Sequence, residues 1–178
     1  MTTVEYSSPC GKLLTGVHGD YIVLCDWMVE GRIEKTLGRL QKYLSHEHEN
    51  DNLALLQRLA SQLDEYFKGR RREFDLPLIT FGTEFQKAVW QSLCKIPYGT
   101  TVSYKEVADS VSRPAGVRAV ANAIGANPLS ILIPCHRVVG SNGSLTGYAG
   151  GLTAKQYLSG MEKVNPENRN GVKKGRER

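Results

Sequence analysis

The chain lacks any apolar run approaching the roughly 20 residues that cross a bilayer, and its mean hydropathy of -0.34 suits a chain folding in water. No membrane span is expected. Its first residues, Met1-Thr2-Thr3-Val4-Glu5, have neither a basic start nor an apolar core. A secretory leader is therefore not expected, and the reading is a protein of the cytoplasm or nucleoid. Cysteine is scarce: Cys10, Cys25, Cys94 and Cys135 form no CxxC pair. That excludes a disulfide framework and fits free thiols in a reducing compartment. Metal ligands are equally sparse. His46 and His48, in the polar run 46–51, lack the further ligands that tetrahedral zinc needs. A solvated loop is expected there, and no metal.

Acidic residues are short in one half. Residues 81–178 hold 13 Lys/Arg against 6 Asp/Glu, whereas residues 1–80 hold 10 against 12. A basic half suits a polyanionic partner, because Lys and Arg near phosphates release condensed counterions. An ordinary solvated surface has the same composition, so charge alone does not decide. The 178 residues suffice for one compact domain or two small ones sharing an interface.

Lys12–His18 and Tyr21–Trp27 read as strands joined by Gly19-Asp20, a hairpin turn. Helical spacing follows over Ile33–Leu44 and, through Leu53, Leu56, Leu59, Leu63 and Phe67, over Leu53–Phe67. Arg70-Arg71-Arg72, followed by Pro77, reads as a solvated connector; phosphate contact is the alternative.

From Thr83 onward, helix starts are explicit. Thr83-x-x-Gln86, Ser103-x-x-Glu106 and Thr153-x-x-Gln156 each match a capping box. In the first helix Phe85, Ala88, Val89, Leu93 and Ile96 are expected to line the buried face, with Trp90 off its centre. Pro97-Tyr98-Gly99-Thr100 makes a turn before a short extended piece at Thr101-Val102. Pro114 opens a further helix through Arg118 and Ile124 to a stop near Asn127-Pro128. Two short helices with a tight join suggest helix-turn-helix, the second slim and Ala-rich with Arg118 as its one long cation. A packed hairpin of small helices is the alternative.

Cys135 lies between Pro134 and His136. A free thiol ionises near pH ~8.5, so a nucleophilic one needs neighbours that favour the thiolate. Adjacent side chains of a regular strand point to opposite faces, so contact between Cys135 and His136 requires irregular backbone or a bridging water. Gly140, Gly143, Gly147, Gly150 and Gly151, with Tyr148 among them, form a loop whose backbone could approach a flat ligand.

The run Pro134-Cys135-His136-Arg137-Val138, preceded by Arg118-Ala119-Val120 and Asn127-Pro128, resembles the O6-alkylguanine-DNA alkyltransferases. The resemblance runs from about Thr83 to Glu162 and extends weakly to Ser8-Pro9-x-Gly11-Lys12-Leu13. It implies an α+β chain. Residues 1–75 would be a ribonuclease H-like domain with a small antiparallel sheet and helices, 76–82 a linker, and 83–163 a winged helix-turn-helix-like domain carrying the active site. Residues 164–178 would be a disordered basic tail.

By the same resemblance, Cys135 accepts an alkyl group from O6 of guanine in double-stranded DNA, once per molecule. His136 would pass the thiol proton through a water towards Glu162. Tyr104 would help rotate the nucleotide out and donate a proton to the guanine ring, Arg118 would fill the gap in the stack beside Ala119, and Asn127 would brace the turn before the active site. Arg137 would be a DNA contact. The carbonyls of Cys135 and Val138 would read the exocyclic amine, and Tyr148 and Ala149 would line the pocket. Ser130 stands where some relatives have proline at the pocket rim, which would widen access for bulky adducts. Cys10, His18 and Cys25 do not match the zinc set of some relatives, so no metal or other cofactor is implied, and a monomer is expected. Neither a fused metal-binding activator segment nor a membrane partner is expected. O4-alkylthymine is a further candidate substrate. The rival readings are a non-catalytic sensor of alkylated DNA, disfavoured by the presence of Cys135, and a cysteine hydrolase, disfavoured by directly adjacent Cys and His and no evident oxyanion hole.

Overall fold

A computed structural model describes residues 1–44, 50–111 and 116–164. The expected loop at His46–Glu49, the helix start at Pro114 and the basic tail from Asn165 lie outside the described residues. Strands β1 (Thr2–Ser8), β2 (Gly11–His18) and β3 (Tyr21–Trp27) form an antiparallel sheet in the order β1-β2-β3. The β2–β3 hairpin matches the sequence reading, with Gly19 at φ 57 in the turn. Most of β1 escaped it, because Thr2-Thr3-Val4-Glu5 is an edge strand with little apolar surface to bury and no period to detect.

Two helices cover the sheet. Helix α2 (Leu53–Phe67) packs Leu55, Leu59, Leu63 and Tyr66 into the core that contains Leu13, Val17, Cys25 and Trp27. Helix α1 (Arg32–Gln41), shorter than the expected Ile33–Leu44, sets Leu40 against Val23 and Leu24. Strand β3 is therefore buried on both faces, which is why Ile22–Trp27 shows no polar alternation.

The remaining edge of β3 is covered by chain that was expected to be a solvated linker. Ile22 N donates to the Pro77 carbonyl at 2.9 Å, and Ile79 N donates to the Ile22 carbonyl at 3.2 Å. The arginine triplet is tied down as well: Arg71 Nε reaches Glu65 at 2.6 Å, and the Arg72 guanidinium lies 5.2 Å from the Tyr98 ring centroid. Farther along the same edge, Cys25 N donates to the Pro128 carbonyl at 2.9 Å. An exposed strand edge is satisfied here by the chain that leads into Cys135.

Helix α3 (Glu84–Leu93) opens with the expected capping box, Thr83 and Gln86 bonding reciprocally. Its buried face differs from the expected one. Ala88 is exposed, whereas Trp90 is buried among Val89 and Leu93 and donates from Nε1 to the Ala123 carbonyl at 2.8 Å. The indole is buried because its N–H finds a partner on the neighbouring helix. A second capping box opens α4 (Tyr104–Ser110), and α5 (Val117–Gly125) packs beside it. Short strands β4 (Val102–Ser103) and β5 (Val138–Val139) pair in parallel. The last helix, α6 (Leu152–Val164), starts one residue before Thr153, so Thr153 is no N-cap; the chain enters from Gly151 at φ 86. Core residues from both halves, Leu13 to Leu158, form one continuous cluster. Among the described residues, no helix is long and apolar enough to cross a membrane.

The buried Asp26 carboxylate ties the halves together. It accepts from Trp27 N (2.9 Å), Arg32 Nε (3.0 Å), Thr36 Oγ1 (2.9 Å) and Ser130 Oγ (3.2 Å). Arg32 donates onward to the Gly125 carbonyl at 2.7 Å and the Asn127 carbonyl at 3.1 Å. Asp26→Ala leaves this guanidinium without its counter-charge and is expected to cost about 3 kcal/mol, as when a buried pair is broken from one side. Urea unfolding should show a lower midpoint at an unchanged slope. A midpoint equal to wild type would contradict this reading.

Candidate active site

The backbone before Cys135 is held in a strained turn. Ile131 has φ 72, the one positive φ outside glycine among the described residues. That conformation is unfavourable for a β-branched residue unless its surroundings enforce it. Asn127, wholly buried, supplies the enforcement. Its Oδ1 accepts from Leu129 N at 2.9 Å, and its Nδ2 donates to the Ile133 carbonyl at 2.9 Å. Ile133 N closes the loop onto the Leu129 carbonyl at 2.8 Å. The same Nδ2 lies 3.3 Å from Cys135 Sγ, so one side chain both fixes the turn and contacts the sulfur.

Cys135–Arg137 form a single 3-10 turn rather than a strand. This irregular backbone removes the opposite-face constraint that a strand would impose. His136 is wholly buried, with Nε2 2.8 Å from Glu162 Oε1 on α6. Its other nitrogen, Nδ1, is buried without a protein partner. A buried ring nitrogen in that condition is a natural seat for an ordered water.

Glu162 is the most heavily bonded carboxylate of the site. Oε1 accepts from Tyr66 Oη at 2.8 Å and Arg137 Nη2 at 2.9 Å as well as facing His136. Oε2 accepts from Arg137 Nε at 3.0 Å and from Gly99 N at 3.4 Å. Burial opposes its ionisation, but hydrogen bonds and charge from His136 and Arg137 prevail and hold its pKa at about 2.

Arg137 was expected to contact DNA. It is buried instead, bidentate to Glu162, and donates a further bond to the Ile96 carbonyl at 2.8 Å. Ser130 was expected at the pocket rim. It is fully buried beneath the turn and bonded to Asp26, so it cannot widen the pocket mouth.

A cavity of about 300 Å³ opens beside Cys135. Ala121, Asn122 and Gly125 of α5 line it together with Tyr104, Gly147, Tyr148 and Ala149. Tyr148 is steadied by Trp27, whose Nε1 donates to its hydroxyl at 3.0 Å. Gly150 has no room for a side chain, since a Cβ there would lie 2.6 Å from the Trp27 ring. The Tyr104 hydroxyl donates to the carbonyls of Thr146 (3.2 Å) and Gly147 (3.4 Å), and burial raises its pKa, which keeps it a proton donor. Burial also pushes the Cys135 thiol up, opposed by the Asn127 hydrogen bond and the charges of Arg32 and Lys155. No hydrogen bond joins this thiol to the imidazole. Arg118 and Ala119 are exposed on α5, and Val138 is buried with its backbone engaged in the β4–β5 pair.

The family model of the 6-O-methylguanine DNA methyltransferase DNA-binding domain matches residues 84–164, and the model of its ribonuclease-like domain matches residues 5–80. The chain belongs to this family. A methylated-DNA--protein-cysteine methyltransferase of Haemophilus influenzae is 39% identical over 162 residues, covering 89% of this chain and 84% of the relative. One from Methanosarcina barkeri is 50% identical over 115 residues, 65% of this chain and 73% of the relative. Among solved structures, Mycobacterium tuberculosis OGT in complex with DNA superposes with a TM-score of 0.76 at 37% identity, covering 90% of this chain and 92% of that one.

Sequence reasoning missed Tyr66, Asp26, Arg32 and Trp27 as neighbours of the site, because each acts across the fold rather than along the chain. For Glu162 a local signal exists. Lys155, Ser159 and Glu162 share the face of α6 that carries Ala154 and Leu158, polar groups on an otherwise apolar stripe.

Because the folded pKa of Glu162 lies below its unfolded value, its contribution is present in full above about pH 4.5 and is lost as pH falls towards 2. The shift corresponds to about 3 kcal/mol. Unfolding free energy measured across that window should fall less steeply in Glu162→Gln, by roughly this amount. Parallel curves would show that Glu162 is not the group responsible.

Proposed function

We propose that this member of the family repairs alkylated DNA by moving the alkyl group from O6 of guanine onto its own Cys135, irreversibly and once per molecule. The observation that carries this reading is Cys135 Sγ held by Asn127 beside a base-sized cavity walled by the exposed helix α5. An alkyl group on O6 inside a duplex is out of reach of a buried thiol, so the nucleotide must leave the stack and enter the cavity. Unstacking costs a few kcal/mol, and Arg118, the long exposed cation of α5, offsets part of it by occupying the gap.

In the transfer, a new S–C bond forms as the C–O6 bond breaks, and the bonding electrons leave with guanine. The thiol proton passes through a water at His136 Nδ1 into the pair that His136 makes with Glu162. The raised pKa of the thiol makes such an acceptor necessary. Tyr104 turns from the loop carbonyls and gives a proton to the guanine ring, which neutralises the leaving group; tyrosinate then recovers a proton from solvent and the imidazole releases its own. The carbonyls of Cys135 and Val138 face the exocyclic amine, and Tyr148 and Ala149 bound the ring. Acting as a monomer on double-stranded DNA, in the cytoplasm or at the nucleoid, is part of the same reading, as are the division at residues 76–82 and activity towards O4-alkylthymine.

Intact-protein mass spectrometry after mixing with a duplex containing O6-methylguanine should show one added methyl, mapped to Cys135 and absent in Cys135→Ala. Methylation that persists in that variant would refute the assignment. Arg118→Ala should slow repair of duplex by roughly tenfold or more while leaving reaction with the free base nearly unchanged. Equal slowing of both would remove Arg118 from the stack-filling role.

A further inference from the structure

Lys155 is wholly buried on α6, two helical turns before Glu162. No step above uses it, and no ion pair to a carboxylate is found for it among the described residues. A buried ammonium is unfavourable unless its donors are engaged. Its Nζ donates to the Thr146 carbonyl at 2.9 Å and to the Gly147 carbonyl at 3.4 Å. These are the two carbonyls that the Tyr104 hydroxyl also bonds, at 3.2 and 3.4 Å. The ammonium lies 5.9 Å from the centroid of the Tyr104 ring.

Two donors thus share one pair of acceptors at the wall of the cavity beside Cys135. Tyr104 cannot protonate a base while its hydroxyl remains on the loop. When a base fills the cavity, water is displaced from that side of the loop, and a carbonyl abandoned there would lose its hydrogen bond without replacement. We infer that Lys155 is a positioning residue that keeps the Thr146 and Gly147 carbonyls satisfied, and so lets Tyr104 turn from them to the base without displacing the wall formed by Tyr148 and Ala149. The inference rests on the reading of Tyr104 as the proton donor to the flipped guanine. Its effect falls on the transfer step, after the DNA is bound.

The test is a double-mutant cycle on the single-turnover methyl-transfer rate, measured on the full chain with saturating O6-methylguanine duplex. Lys155→Met, close in length but without donors, should slow transfer by about ten- to a hundredfold, the factor expected from leaving such carbonyls unsatisfied. In a Tyr104→Phe background, where no hydroxyl has to leave the loop, the same substitution should slow it by less than about threefold. Equal losses in both backgrounds overturn the inference. Lys155→Arg, which keeps charge and donors, should recover most of the rate, and failure to do so also overturns it. Alkylation of Cys135 by iodoacetamide separates a fault in the thiol from a fault in proton donation. Because the Lys155 charge also favours the thiolate, the rate is normalised to the thiolate fraction from each protein's own pH–rate profile, and it should then change less than about threefold in Lys155→Met. A fall as large as that in methyl transfer contradicts the inference. If Lys155→Met does not fold, Lys155→Leu, which also lacks donors, takes its place in the cycle. Wild type that transfers methyl to Cys135 while Tyr104→Phe reacts at the wild-type rate would refute the parent reading of Tyr104. Wild type and Tyr104→Phe that differ as expected, with additive Lys155 effects, would refute only this inference.

Discussion

The site depends on one buried carboxylate. Glu162 takes hydrogen bonds from Tyr66 of the N-terminal half, from Arg137 and the backbone of Gly99, and faces His136. A carboxylate this buried would be protonated or displaced without compensation, and His136 together with the bidentate Arg137 supplies it. Because Glu162 engages Nε2 of His136, the ring presents Nδ1 to the other side, free of protein partners. The orientation of the imidazole beside Cys135 is therefore set by residues from helices far apart in the chain.

A second constraint fixes the thiol itself. Cys135 follows a turn that its own sequence would not adopt, since Ile131 sits at positive φ. Asn127 bonds both arms of that turn, and the edge of β3 holds it from outside through Cys25 and Asp26. The Asp26–Arg32 pair then connects the turn to the end of α5. Helix α5, the strained turn and the Cys135 sulfur are thus joined through one set of hydrogen bonds, which Asp26 and Arg32 anchor to the N-terminal half.

The elements with their own periodicity or caps were legible in the sequence: the β2–β3 hairpin, α2, and the capped starts of α3 and α4. Thr153 misled because a matching spacing was already inside a helix entered from Gly151. Ala88 and Trp90 exchanged places because the indole N–H found the Ala123 carbonyl, a contact between helices that no local pattern encodes. Within the site, Cys135, His136, Asn127 and Glu162 were named from motif resemblance, and the structure brings them together. Arg137 was named as a DNA contact on the same resemblance, and only the fold shows the carboxylate it already neutralises.

In the proposed transfer, Glu162 is necessary for moving the proton and dispensable for holding DNA. The most direct measurement is the single-turnover transfer rate of Glu162→Gln on saturating O6-methylguanine duplex, with duplex affinity measured alongside as the control for folding. Transfer slowed by about a hundredfold or more, the scale of losing one positioned acid–base group, with affinity unchanged, is the predicted result. A Glu162→Gln protein that binds the duplex normally and transfers methyl at the wild-type rate would contradict it.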